Sequence, residues 1–154
     1  MAFCDVGTTG IVFGGTYQLL NVIANKALSV CRAGTHNGVN VHLSSNNKSH
    51  KQLWVIYQNE DGTVKLINPH SGKALDVTGA QTSDGTNVQI YTDNGTEAQK
   101  WRLIPVGDQV YKLINPKSGK ALDVAGGRSE NGTNVQIWSD NGLTAQQWRL
   151  VQYF

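Results

Sequence analysis

The sequence predicts an all-β chain of twelve short strands, arranged as three equivalent units closed around a pseudo-threefold axis. Three observations carry this expectation. Seventeen Gly and fourteen Asn among 154 residues put a fifth of the chain into types that favour turns and positive φ, against only three Pro and one Met. Apolar residues alternate in short runs such as Val88 and Ile90, or Trp101 and Leu103, each bounded by turn dipeptides. The chain also repeats itself at a spacing of 47, so that 27 of the 40 positions from 64 to 103 are identical to their counterparts from 111 to 150.

The elements follow in order from the repeat. Lys65-Leu66-Ile67-Asn68-Pro69 returns as Lys112-Leu113-Ile114-Asn115-Pro116, and Gly72-Lys73-Ala74-Leu75-Asp76-Val77 as Gly119-Lys120-Ala121-Leu122-Asp123-Val124. Gly85-Thr86-Asn87-Val88-Gln89-Ile90 returns as Gly132-Thr133-Asn134-Val135-Gln136-Ile137. A worn first copy keeps Leu19-Leu20-Asn21, Ala27-Leu28-Ser29-Val30, Gly38-Val39-Asn40-Val41 and Gln52-Leu53-Trp54. The predicted strands lie near 16–21, 27–30, 40–44 and 52–57, then 63–68, 74–77, 87–91 and 99–104, then 110–115, 121–124, 134–138 and 146–151. Asn37-Gly38, Asp84-Gly85 and Asn131-Gly132 stand in register as turns that need positive φ. One four-stranded unit cannot bury its apolar face, so three must close on each other, with a three-bladed propeller as the other arrangement the count allows. The expected organisation is a leader over 1–14 and one domain over 15–154, with repeats of about 15–59, 60–107 and 108–154.

Thirteen basic against eleven acidic residues leave a net charge of +2, scattered singly along the chain. That pattern predicts neither a nucleic-acid groove nor a polybasic membrane patch. Met1 to Asp5 carry no basic n-region, and Ile11-Val12-Phe13 is too short for a signal core or a membrane span, which leaves the compartment open. Cys4 and Cys31 would close a loop of about 27 residues, worth roughly 3 to 4 kcal/mol if oxidised, or stay as two thiols. With no CxxC and no His at ligand spacing from either Cys, no metal site is expected.

Gln52-Leu53-Trp54, Gln99-Lys100-Trp101 and Gln146-Gln147-Trp148 lie 47 apart, each expected on the last strand of its copy, with the indole as a core wedge between units. With this threefold Gln-x-Trp, the Gly-Lys-Ala-Leu-Asp-Val segment and the Gly-Thr-Asn-Val-Gln-Ile-aromatic segment, the chain resembles the ricin-B-type lectins and the related carbohydrate-binding modules of bacterial glycosidases. The resemblance runs from about residue 15 to the C-terminus. It implies a β-trefoil with up to three shallow sugar pockets, one per repeat.

Sugar recognition needs a carboxylate to accept from adjacent hydroxyls, an aromatic face for the apolar side of the ring, and amides for the remaining hydroxyls. The resemblance places these on Asp76 and Asp123 as the carboxylates, Tyr91 and Trp138 as the stacking rings, and Gln89 and Gln136 at the pocket border. Asn94 and Asn141 match a position of polar sugar contact, and Gln99 and Gln146 either steady the Asp or reach the ligand. Many relatives carry Asn just before that last Gln, where this chain has Ala98 and Ala145. In the first copy Ser29 stands for the Asp, His42 for the Gln and Ser44 for the aromatic, so that site is expected to be inactive.

The expected function is therefore a non-enzymatic lectin for neutral sugars, with galactose or N-acetylgalactosamine as the family's commonest ligands. Binding of one monosaccharide is expected near millimolar, roughly −4 to −5 kcal/mol. Glycans or glycoconjugates are the expected partners, with no cofactor and no membrane insertion, and a homo-oligomer would multiply the sites. Two other classes compete. An enzyme would need paired carboxylates in one cleft, and this chain has neither Gly-x-Ser-x-Gly nor His-Glu-x-x-His. A protein-binding trefoil, such as a protease inhibitor, would have no reason to keep Asp, aromatic and Asn in two copies. The chain could also be the targeting module of a glycosidase or toxin.

Overall fold

The computed structural model describes residues 10–154 and contains twelve strands. The first copy supplies β1 (Thr16–Asn21), β2 (Lys26–Val30), β3 (Val41–Ser44) and β4 (Trp54–Gln58). The second supplies β5 (Val64–Asn68), β6 (Lys73–Val77), β7 (Val88–Tyr91) and β8 (Arg102–Gly107). The third supplies β9 (Val110–Asn115), β10 (Lys120–Val124), β11 (Val135–Trp138) and β12 (Trp148–Tyr153). Cys4 lies outside the described residues, so the Cys4–Cys31 pairing does too.

The first and fourth strands of each copy form a closed ring of six. β1 pairs antiparallel with β12 and β4, β4 with β5, β8 with β9, and β9 with β12. The remaining seam closes where Val64 and Trp101 exchange backbone hydrogen bonds of 2.8 and 3.0 Å. Closure removes the open sheet edges that would otherwise invite aggregation. The inner strands form three hairpins, β2·β3, β6·β7 and β10·β11. This barrel with three hairpins is the β-trefoil arrangement, not a ring of blades.

Alternation decides which side chains enter the core. Leu28 and Val30, Leu75 and Val77, and Leu122 and Val124 face inward from the hairpins, joined by Leu19, Leu66 and Leu113 from the ring. Trp54, Trp101 and Trp148 are wholly buried in the same cluster. Their indole N–H groups donate to the carbonyls of Leu28, Leu75 and Leu122 at 3.1, 3.2 and 3.1 Å. The polar link of each Trp thus runs to the hairpin of its own copy, tying that hairpin to the barrel.

Links between copies come from elsewhere. Gly38, Gly85 and Gly132 adopt φ of 88, 87 and 88°, as the turn dipeptides predict. Their N–H groups donate to Ile90, Ile137 and Leu43 of the following copy at 2.8, 2.8 and 2.7 Å. Beside them Asn40, Asn87 and Asn134 close a cyclic ring of amides, each Nδ2 donating to the next Oδ1 at 2.8 Å. A three-membered ring of equal bonds marks the pseudo-threefold axis.

Candidate functional site

The Gln of each Gln-x-Trp is not on the last strand. It ends a 3₁₀ turn, at His50–Gln52, Glu97–Gln99 and Thr144–Gln146, which aims its side chain back toward the hairpin. That turn is clamped by the next copy. Asn68 Nδ2 donates to His50 and Leu53 carbonyls at 3.0 Å each, and Asn115 does the same to Glu97 and Lys100. Asn21 closes the cycle on Thr144, Ala145 and Gln147. Because Asn21, Asn68 and Asn115 are buried, these bonds must be made within the fold.

Asp76 and Gln89 are opposed on β6 and β7, and Asp123 and Gln136 on β10 and β11. Asp76 accepts from Gln89 Nε2 at 3.0 Å through one oxygen and from Gln99 Nε2 at 2.9 Å through the other. Asp123 accepts from Gln136 at 3.1 Å and Gln146 at 2.9 Å in the same way. Gln99 spends its second N–H on the Thr92 carbonyl at 2.7 Å and its oxygen on the Asn94 N–H at 3.0 Å. Gln146 does likewise with Ser139 and Asn141. Both are buried, and their amides bond to the Asp and the loop backbone. Burial raises the carboxyls of Asp76 and Asp123 above the ordinary value, against the lowering effect of the glutamine N–H donors.

Asp76, Gln89, Tyr91 and Asn94 line one cleft of about 290 Å³, and Asp123, Gln136, Trp138 and Asn141 another of about 430 Å³. Gln99 and Gln146 are behind the walls of these clefts rather than in their lining. Asn94 Oδ1 is used by Thr96 and Asn141 Oδ1 by Leu143, which leaves each Nδ2 free to donate outward. Tyr91 and Trp138 are about 40% exposed despite their size, the condition for a stacking face. Ala98 and Ala145 line the two clefts at the position where many relatives carry Asn.

Sequence reasoning missed several walls. Ile23 of the first copy and Leu143 close the third-repeat cleft. Thr96 stands at the position of Leu143 in the second. It also missed the supports. Asn37 accepts from Thr92 N–H and Asp84 from Ser139 N–H, both at 2.8 Å, so each ring-bearing strand is held by the preceding copy's turn. Lys65 and Lys112 reach Asp93 and Asp140 at 2.7 and 2.6 Å, pinning the loops that carry Asn94 and Asn141. The available signal was the return of Lys65 and Asp93 as Lys112 and Asp140, and of an Asn or Asp at 37, 84 and 131; the walls Ile23 and Leu143 do not recur.

In the first copy Gln52 keeps the same scaffold, donating to the Ser45 carbonyl at 2.8 Å and accepting from Asn47 N–H at 3.0 Å. Ser29 is fully buried opposite His42, and its hydroxyl has no partner among the described residues. The carboxylate and the stacking ring are gone.

The family model described as ricin-type beta-trefoil lectin domain-like matches residues 8–91, 51–138 and 97–153. The chain belongs to this ricin-type lectin family. Among solved structures, a designed threefold-symmetric protein, ThreeFoil, is 45% identical with a TM-score of 0.88, over 90% of this chain and 99% of that one. An exo-β-1,3-galactanase from Clostridium thermocellum is 34% identical with a TM-score of 0.88, over 93% of this chain but only 31% of the galactanase. A Macrolepiota procera ricin B-like lectin, solved with lactose, shares the fold at a TM-score of 0.81 and 20% identity, over 93% of this chain and 99% of that one. No curated protein matches the sequence.

Proposed function

We propose that this ricin-type domain is a non-enzymatic lectin that binds neutral, galactose- or N-acetylgalactosamine-type glycans through two shallow clefts, in the second and third repeats. The observation that carries the reading is the twofold recurrence of one arrangement. An acceptor carboxylate held by two glutamine amides sits in a cleft with an exposed ring and an outward-facing asparagine N–H₂. The galactosyl preference is supported by the company the chain keeps, an exo-β-1,3-galactanase and a lectin solved with lactose.

A sugar would lay the apolar face of its ring on Tyr91 or Trp138 and donate adjacent hydroxyls to the ionised Asp76 or Asp123. Gln89 or Gln136 and the Asn94 or Asn141 amide would take the remaining hydroxyls. Asp76 and Asp123 line separate clefts, and neither faces a second carboxylate in its own lining, which disfavours acid–base hydrolysis. The first-repeat position lacks acceptor and ring and does not take neutral sugars. A glycan array probed with the wild type, Asp76→Ala, Asp123→Ala and the double variant tests the reading. Each single variant should weaken binding and the double variant should abolish it, whereas undiminished binding by a folded double variant would contradict the assignment.

A further inference from the structure

The first repeat keeps the frame that shapes the other two clefts and sets different residues on it. Its frame is intact, because Gln52 makes the same two loop contacts as Gln99 and Gln146, and Ser45 bonds to the preceding turn through Asn131 at 3.2 Å. The positions lining the third-repeat cleft can therefore be read across at multiples of 47. Gly126 becomes Arg32, Gln136 becomes His42, Thr144 becomes His50, Ala145 becomes Lys51, and the Ile23 wall becomes His70.

Direct contacts agree with this reading. The rings of His50 and His70 lie with centroids 3.9 Å apart, which brings the second copy's turn against the first copy's pocket, as Ile23 lies against the third. The Cys31–Ala33 turn packs against the His50–Gln52 turn, which brings the segments that carry Arg32 and Lys51 together, and burial followed by the Lys51 charge holds the His42 imidazole below its ordinary value. Arg32 sits at φ 53°, where the other copies have Gly79 and Gly126 at 62 and 64°. A side chain bearing Cβ is disfavoured in that region, so the strain at Arg32 is retained at a pocket wall and calls for a use.

Among the described residues no carboxylate pairs with these groups. No Asp or Glu occurs between Asp5 and Glu60. Among the described residues Arg32, Lys48 and Lys51 form no ion pair, whereas Lys65, Lys100, Lys112 and Lys120 each lie within 3.6 Å of a carboxylate. Nor do three or more His, Cys, Asp or Glu converge as a metal site would need, among the same residues.

We propose that the first-repeat pocket binds the anionic group of an acidic saccharide, a uronate carboxylate or a sulfate ester, through Arg32 and Lys51, with the paired His50 and His70 rings at its wall. The proposal rests on the sugar-pocket reading of the frame but not on the neutral-sugar assignment of the other two clefts. A local group of cations without ion pairs, on a chain of net charge only +2, fits a single substituent better than a continuous polyanion.

Titration calorimetry of the full chain with a heparin-derived tetrasaccharide and with trigalacturonate tests it and separates sulfate from carboxylate. Arg32→Gly/Lys51→Ala restores the residues of the sister copies and keeps the fold. It should lose roughly 10- to 100-fold in affinity for the acidic probes, with galactose binding unchanged. Asp76→Ala/Asp123→Ala should show the converse. Absence of acidic-probe binding by the wild type, equal binding by Arg32→Gly/Lys51→Ala, or equal binding to a short DNA duplex or to phosphatidylserine vesicles would overturn the proposal. Galactose binding that persists while both acidic probes fail would refute this site alone.

Discussion

At the scale of single residues, the carboxylates of Asp76 and Asp123 are the most informative groups. Each is buried, raised above the ordinary carboxylate value by that burial, and accepts through both oxygens at full strength only when ionised. Acidification should therefore abolish galactose binding with an apparent midpoint above the ordinary value of 3.8, read from a titration at successive pH values. The sign for stability is opposite to that of an ion-paired carboxylate. The free fold holds these protons more tightly than the unfolded chain, so these two groups lower stability as pH rises from the unfolded value through the folded one. Trp138 supplies an optical reporter, since Trp54, Trp101 and Trp148 are fully buried and Trp138 is 40% exposed in a cleft. Galactose should change the intrinsic fluorescence, Trp138→Phe or Asp123→Ala should remove most of that change, and Asp76→Ala should leave it.

At the scale of elements, the 3₁₀ turn bearing Gln99 shows both what the sequence discloses and what it hides. The repeat made the strands, the Asp and the ring legible, because their side chains recur at a fixed spacing and alternate by face. It placed Gln99 on a strand, since nothing local reveals that Asn115 of the next copy pulls the Glu97 and Lys100 carbonyls into a turn. The Ile23 wall was hidden for the same reason: it arrives from another copy. Asn68→Ala should leave the His50 and Leu53 carbonyls without that donor and cost about 1 to 3 kcal/mol in urea unfolding. Gln99→Ala removes a donor from Asp76 and the support of the Asn94 loop. It should weaken galactose binding at the second-repeat site while leaving the Trp138 fluorescence response of the third in place.

At the scale of the whole molecule, the copies depend on one another. Each hairpin turn donates to the next copy, and the Asn40, Asn87 and Asn134 ring has every donor and acceptor of the cycle filled. Asn87→Asp would face two oxygens across the bond to Asn40, and should lower stability by about 1 to 3 kcal/mol in one cooperative transition, not a separate melting of the second copy. Two weak sites held on one rigid body should bind a galactosylated surface roughly 10² to 10⁴ times more tightly than free galactose, and single-site variants should lose that gain. The most direct measurement is a galactose titration followed by amide and indole shifts in the NMR spectrum of the full chain. The predicted result is two clusters of saturating shifts, one around Tyr91 and Asn94 and one around Trp138 and Asn141. No shifts at either cluster, or saturating shifts centred on Ser29 and Ser44 instead, would contradict the two-site lectin.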